Sequence, residues 1–276
     1  MKWKRSERLV DMTNYLLERP HQLIPLTVFS DIYQSAKSSI SEDLTIIKET
    51  FENRGTGLLV TVPGAAGGVK FIPKMSNQSM EKVMQEFMEN LSQSDRLLPG
   101  GYLFMTDLLG NPEVMSKIGK VFATRFADSS VDAIMTIATK GIPFAHAIAR
   151  YLNVPVVVVR RDSKVTEGST VSINYVSGSS KRIQTMVLSK RSMKSGQRVL
   201  IVDDFMKVGG TMNGMKNLLE EFQCELAGIA VLVEAESVDE RLVQNYQSFV
   251  RLQEVNEKDR TINIVQGNLV DGGKEQ

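Results

Sequence analysis

The chain has 276 residues, 42% hydrophobic and 24% charged, with a formal net charge of +1. Because domains run to roughly 100 to 200 residues, that length points to two of them, and the near-neutral balance excludes a bulk electrostatic pull on nucleic acid, so such binding has to come from local arrangement. No stretch approaches the roughly 20 apolar residues that span a bilayer, and the basic start, residues 1–8, has no apolar run behind it, so a cytoplasmic chain with no membrane partner is expected. Cys224 is the single cysteine and cannot form an intrachain disulfide; with His21 and His146 it makes no soft-ligand cluster for zinc. Lying before the apolar run 226–233, it reads as a buried structural thiol. His21, in a loop beside Pro20, and His146, on a helix, read as structural too, and no catalytic residue is assigned.

From residue 6 to 18, Leu9, Met12 and Leu16 fall on one helical stripe, widened by Val10 and Leu17, and Arg19-Pro20 ends it. Residues 26–33, after Pro25, fit a second helix before the polar break 34–38. Ser39-Ile40-Ser41-Glu42 reads as a capping box, so a third helix is expected to start there. It places Ile40, Leu44, Ile47 and Phe51 on one face and ends near Gly55. The runs 58–62 and 69–72, separated by the glycine-rich 63–68, read as a hairpin. Three short helices and a hairpin make a winged helix-turn-helix, assigned to residues 1–74. A further helix over 78–91, with Met80, Val83, Met84, Phe87 and Leu91 in register, reads as the bridge between domains, and Leu98-Pro99-Gly100-Gly101 breaks the chain.

Beyond Tyr102 strands and helices alternate: strands over 133–137, 154–159, 199–202 and 227–233, helices over 142–152 and 212–222. Strands that are apolar on both faces suit a parallel sheet covered by helices, so the second domain, residues 75–276, is expected to be α/β. Residues 271–276 read as a frayed polar tail.

The chemistry concentrates in Val199-Leu200-Ile201-Val202-Asp203-Asp204-Phe205-Met206-Lys207-Val208-Gly209-Gly210-Thr211, a buried strand ending in two acids and then a glycine-bearing loop that opens a helix. Loop amides and a helix N-terminus favour a phosphate, Gly209 and Gly210 allow close backbone approach, and the Thr211 hydroxyl adds a donor. The paired acids repel an anion, so they either accept hydrogen bonds from sugar hydroxyls or hold Mg²⁺ through water. A sugar phosphate satisfies both halves.

This stretch resembles the signature for phosphoribosyl pyrophosphate (PRPP) of the type I phosphoribosyltransferases. The resemblance implies that Asp203 and Asp204 contact the ribose, and that Phe205, Met206, Lys207, Val208, Gly209, Gly210 and Thr211 wrap the 5′-phosphate. It also implies that Ala138, Thr139, Lys140 and Gly141, which follow a strand and open a helix, form the pyrophosphate loop. The polar segment 160–185, with Arg160, Arg161, Lys164, Lys181 and Arg182, sits where these enzymes carry a flexible closing loop; read from its residues it is an exposed hairpin with 171–176 as one arm. Tyr102, Arg160 and Arg161 are candidate loop or pocket contacts. Val208 departs from the enzymes, which carry Thr or Ser there. A lost hydrogen bond to a charged group costs about 1.5 to 3 kcal/mol, so affinity falls while the amide cradle survives. Lys207 either returns charge to the phosphate or points into solvent. About 40 residues follow Val233, room for a small hood over a base on which Phe205 would stack.

The order of the two domains, and the runs 37–48, 61–74 and 165–181, resemble the purine operon repressors of Gram-positive bacteria. That resemblance implies a dimer in which PRPP, with Mg²⁺ near Asp203 and Asp204, is an effector that weakens operator binding. It implies no required cofactor and no transferase activity, and leaves other phosphorylated nucleotides open as ligands. Residues 1–74 hold ten Lys/Arg against eight Asp/Glu, a balance of +2, so placement matters more than total. Lys2, Lys4, Arg5 and Arg8 lie before and at the start of the first helix, Lys37 and Lys48 flank the third, and Arg54, Lys70 and Lys74 surround the wing. Ser38, Ser41, Thr45 and Lys48 lie opposite the apolar stripe of the third helix, where short polar groups reach a DNA backbone or base edge. Against this stand an active purine phosphoribosyltransferase with an accessory nucleic-acid domain, a helical oligomerisation domain, and an RNA-binding attenuator.

Overall fold

The apolar spacing of the N-terminal segment folds it into three helices around a small sheet. In this computed structural model residues 3–64, 66–162, 165–176, 182–236 and 240–269 are described; the expectations for Lys2, Lys164, Lys181 and the tail 271–276 fall outside them. Two units result, Met1–Ser76 with Tyr151–Asn153, and Asn77–Arg150 with Val154–Gln276. In the first, α1 (Arg5–Leu17) buries Met12 and Leu16, α2 (Leu26–Tyr33) buries Phe29 and Tyr33, and α3 (Lys37–Arg54) buries Ile40, Leu44, Ile47 and Phe51. Strands β1 (Leu23–Ile24), β2 (Gly57–Val62) and β3 (Gly68–Pro73) form an antiparallel sheet in the order β1-β3-β2. The β2–β3 hairpin pairs Gly57 with Pro73 and Val62 with Gly68, and is the expected wing.

Two expectations for this unit are corrected. Val10 is 73% exposed and Leu17 is exposed too, so the buried stripe of α1 is narrower than its apolar content. The third helix begins at Lys37, with Ala36 as N-cap and no side-chain cap bond, so Ser39 lies inside the first turn and no capping box forms there. Gln34 in the left-handed region ends α2, and the Ile40 amide already bonds to the Ala36 carbonyl at 3.1 Å. The buried Ile40 and Asp43 draw the first turn onto the core, and that packing overrides the local cap signal.

The second unit runs through α4 (Asn77–Leu91), β4 (Leu97–Leu98), β5 (Tyr102–Leu103), α5 (Thr106–Gly110), α6 (Pro112–Arg125), β6 (Ala133–Ile137), α7 (Gly141–Leu152) and β7 (Val156–Val159). The hairpin β8 (Thr170–Val176) and β9 (Ile183–Ser189) follows, then β10 (Arg198–Met206), α8 (Gly210–Glu221), β11 (Glu225–Ala235), β12 (Tyr246–Asn256) and β13 (Thr261–Gln266). Six strands join in the order β13-β12-β11-β10-β6-β7, all neighbours parallel except the antiparallel pair β12–β13. Met212, Met215, Leu218 and Leu219 of α8 pack with Val199 and Ile201 of β10 and with Tyr175, Met186 and Leu188 of the hairpin. Phe87 of α4, Phe122 of α6, Phe144 of α7 and Phe249 of β12 form a second aromatic cluster.

This is the α/β parallel-sheet domain the alternation predicts, with three differences. Helix α4 packs on β12, β13 and α6, so it is part of the second unit and not a free bridge. Strand β10 continues past Val202 through both acids to Met206. The residues after Val233 extend the sheet as β12 and β13 instead of forming a hood. Among the described residues no helix is long and apolar enough to cross a membrane.

Candidate functional site

A parallel strand delivers the residues after it to the edge of the sheet, and here β6 and β10, adjacent and in register, deliver two loops to the same place. Residues Ile137 to Lys140, Arg160 to Asp162, Asp203 to Phe205, and Thr211 line one cleft of about 580 Å³. The Ala138–Thr139 peptide in its wall is cis. Gly141 settles directly over the acids: a Cβ there would lie 2.3 Å from Thr136 Oγ1 and 3.1 Å from Asp203 Oδ1, so only glycine lets α7 start so close to β10. Thr136 is fully buried beneath, and its hydroxyl has no hydrogen-bond partner among the described residues.

Asp203 is buried, and its Oδ1 accepts the Asp204 amide at 3.0 Å. Burial, and then the charge of Asp204, push the Asp203 carboxyl well above the usual carboxylate range. Burial raises Asp204 as well, against the pull of Lys140. Two acids that resist ionisation in an otherwise polar cleft are matched by hydroxyl donors or a divalent cation, either of which compensates the charged form.

Beside them a smaller cavity of about 80 Å³ is lined by Asp203, by Phe205 through Thr211 and by Met212. Gly209 caps α8 in the left-handed region at φ +92, and the first helical bond runs from the Asn213 amide to the Gly209 carbonyl at 2.9 Å. The amides ahead of it belong to an unpaired helix N-terminus that favours a phosphate. The Met206 side chain is buried in the core, while the Lys207 side chain is exposed.

Of the remaining candidates, Arg160 and Arg161 line the cleft, and Arg160 Nε lies 3.3 Å from Glu167 Oε1. Tyr102 is 71% exposed on β5 and is not among the lining residues. Asp162 was missed, lying in a polar segment with no motif around it. Cys224 is half-buried, its Sγ 3.2 Å from the Lys194 carbonyl, where sequence pointed to full burial.

In the first unit Lys37, Ser38, Ser41, Thr45 and Lys48 of α3 are all exposed, as are Lys4 and Arg54, while Lys70 on the wing is half-buried. The Thr45 hydroxyl donates to the Ser41 carbonyl at 3.0 Å. Arg5 and Arg8 are committed to an acid that the sequence reading passed over. Asp43 is 1% exposed on the apolar face of α3, three residues after Ile40, and its two oxygens accept from Arg5 Nε at 2.9 Å and Arg8 Nη2 at 2.8 Å. The Arg8 side chain is 13% exposed and serves to join α1 to α3, whereas Arg5, 53% exposed, keeps contact with solvent.

Residues 4–73 match the family model described as bacterial purine repressor, N-terminal, and residues 105–267 match the phosphoribosyl transferase domain. The chain is 64% identical over 270 residues to the purine biosynthesis transcriptional repressor PurR of Bacillus subtilis, covering 98% of this chain and 95% of that one. It is 50% identical over 266 residues to the purine biosynthesis transcriptional activator PurR of Lactococcus lactis, covering 96% and 98%. A xanthine phosphoribosyltransferase of Levilactobacillus brevis is 28% identical over 155 residues, 55% of this chain and 81% of the enzyme. The chain belongs to the PurR family of purine biosynthesis transcriptional regulators, with a purine-repressor N-terminal domain joined to a phosphoribosyltransferase-type domain.

Proposed function

We propose that the chain is a repressor that holds operator DNA through α3 and the wing and is released by PRPP bound in the second unit, where no transfer reaction follows. One observation carries this reading: the paired acids Asp203 and Asp204 share a cleft with the loop Ala138–Lys140 and adjoin the Gly209–Thr211 cradle. A ribose with a phosphate on one side and a pyrophosphate on the other needs those three groups of donors and acceptors in one place. Asp203 and Asp204 also suit Mg²⁺ carried in with the pyrophosphate, which would neutralise charge there. In this reading the DNA contacts come from Lys4, Lys37, Ser38, Ser41, Thr45, Lys48, Arg54 and Lys70, and the protein works as a dimer on its operator. The division falls between 1–74 and 75–276.

The test is a titration of PRPP into an operator-binding assay with the parent and with Asp203→Ala/Asp204→Ala. The parent is released, and the double variant binds operator equally well but stays bound. Release of both at the same PRPP concentration would rule out the cleft as the effector site. The likeness to a xanthine phosphoribosyltransferase favours a second reading, a transferase with a DNA-binding appendage. Base-dependent release of pyrophosphate from labelled PRPP would establish it.

A further inference from the structure

The carbonyls of the phosphate loop are held by a strap, residues 240–245, that enters the cleft nowhere. The Arg241 guanidinium donates to the Lys207 carbonyl through Nη1 and, through Nη2, to the Ala235 carbonyl at 2.6 Å. The Leu242 amide donates to the Val208 carbonyl at 2.9 Å. Val243, buried, lies over Gly209, with Cγ2 2.7 Å from where a Cβ on that glycine would stand. Arg241 is held in turn by Glu234 of β11, whose fully buried carboxylate takes Arg241 Nη2 at 3.1 Å, Tyr246 Oη at 2.5 Å, Ser248 Oγ at 2.8 Å and Arg251 Nε at 3.0 Å. These donors keep the Glu234 carboxyl below its ordinary value although burial alone would raise it.

The physics of the peptide unit gives this strap a task. A peptide is planar and trans, so fixing the direction of a carbonyl fixes the following amide in the opposite direction. Anchoring the Lys207 carbonyl aims the Val208 amide, and anchoring the Val208 carbonyl aims the Gly209 amide, and both residues line the phosphate cavity. Position 208 has no hydroxyl to add, so more of the anion's binding falls to the amides. We propose that Glu234 and Arg241 are positioning residues that aim the Val208 amide at the 5′-phosphate, beside the Gly209 amide that the Leu242 backbone directs, an inference that rests on reading the cleft as a phosphoribosyl site.

Arg241→Met, Arg241→Lys and Glu234→Gln in the full chain test it, with PRPP and ribose 5-phosphate titrated by calorimetry and melting temperature recorded for each. Arg241→Met loses roughly 10- to 100-fold in affinity for both ligands, the weight of a charge-assisted bond and the amide it directs. Arg241→Lys, which keeps one donor, recovers a measurable part of that loss, and Glu234→Gln falls between the two. Parent-like affinity in Arg241→Met, or a loss in Arg241→Lys as large as in Arg241→Met at equal melting temperature, overturns the proposal. If Glu234→Gln does not fold, the two Arg241 variants decide alone. A parent that binds neither ligand would defeat the phosphoribosyl reading itself, a different result from a parent that binds and variants that bind as well.

Discussion

Asp43→Ala isolates the anchor between α1 and α3. In the parent one buried carboxylate serves two arginines, and removing it leaves Arg8, 13% exposed, without its partner. Breaking a buried pair from one side costs about 3 to 5 kcal/mol, and because half of the Arg5 side chain remains hydrated the cost falls to the bottom of that range or just below it, about 2 to 3 kcal/mol. For a unit of this size each kcal/mol moves the midpoint by about 4 to 8 °C, so the first unit melts about 10 to 20 °C lower. Trp3 is the single tryptophan of the chain, with its ring centroid 5.2 Å from that of Tyr33, so its fluorescence reports this unit alone. Arg8→Ala destabilises by more than Arg5→Ala, because Arg5 has solvent to fall back on. A tryptophan melting curve for Asp43→Ala within about 2 °C of the parent, or the opposite order for the arginines, would refute the anchor.

Other expected outcomes follow from the exposed cations and the buried acids. Lys48→Ala and Lys70→Ala each weaken operator binding and flatten the slope of log affinity against log salt by about one phosphate contact; unchanged slopes would move the DNA surface elsewhere. Gly141→Ala pushes a methyl group into Thr136 and Asp203, so PRPP affinity drops about 10-fold or more by calorimetry, and an unaltered affinity would contradict the close seating of α7. The raised Asp203 carboxyl is protonated at a higher pH than an ordinary carboxylate, and ligand hydroxyls or Mg²⁺ need it ionised. PRPP affinity is therefore full above that raised pKa and declines as pH falls through it. As pH falls, the decline sets in at a higher pH than an ordinary carboxylate would give and is steeper than in Asp203→Asn, and parallel profiles for the two would sink the assignment.

Where local chemistry and tertiary packing agree, the elements were legible: α2 and β6 have the bounds read from sequence, and Gly55, with its positive φ, ends α3 as expected. Where they compete, packing wins, as at Ser39, whose capping signal loses to the burial of Ile40 and Asp43. Apolar continuity stops at Val202 and predicts a shorter strand, while the backbone ladder of β10 to β11 continues through the acids to Met206. Strand β12 alternates with polar residues toward the sheet edge and gave no continuous run. Helix α6 carries a start legible in the sequence, Asn111 before Pro112, with the Asn111 side chain accepting from the Glu113 and Val114 amides. The cleft loops were visible because glycines and acids sit at fixed spacing. The strap was not, because it acts through carbonyls on a loop some thirty residues earlier in the chain.

The most direct measurement is the PRPP affinity of the chain alone against that of the chain saturated with operator DNA. If PRPP in the second unit opposes operator binding in the first, linkage requires the operator to weaken PRPP by the same factor that PRPP weakens the operator, with a coupling of about 1 to 3 kcal/mol, or roughly 5- to 150-fold. The account predicts that each ligand weakens the other by the same factor in the two titrations. Identical PRPP affinity with and without operator would contradict it.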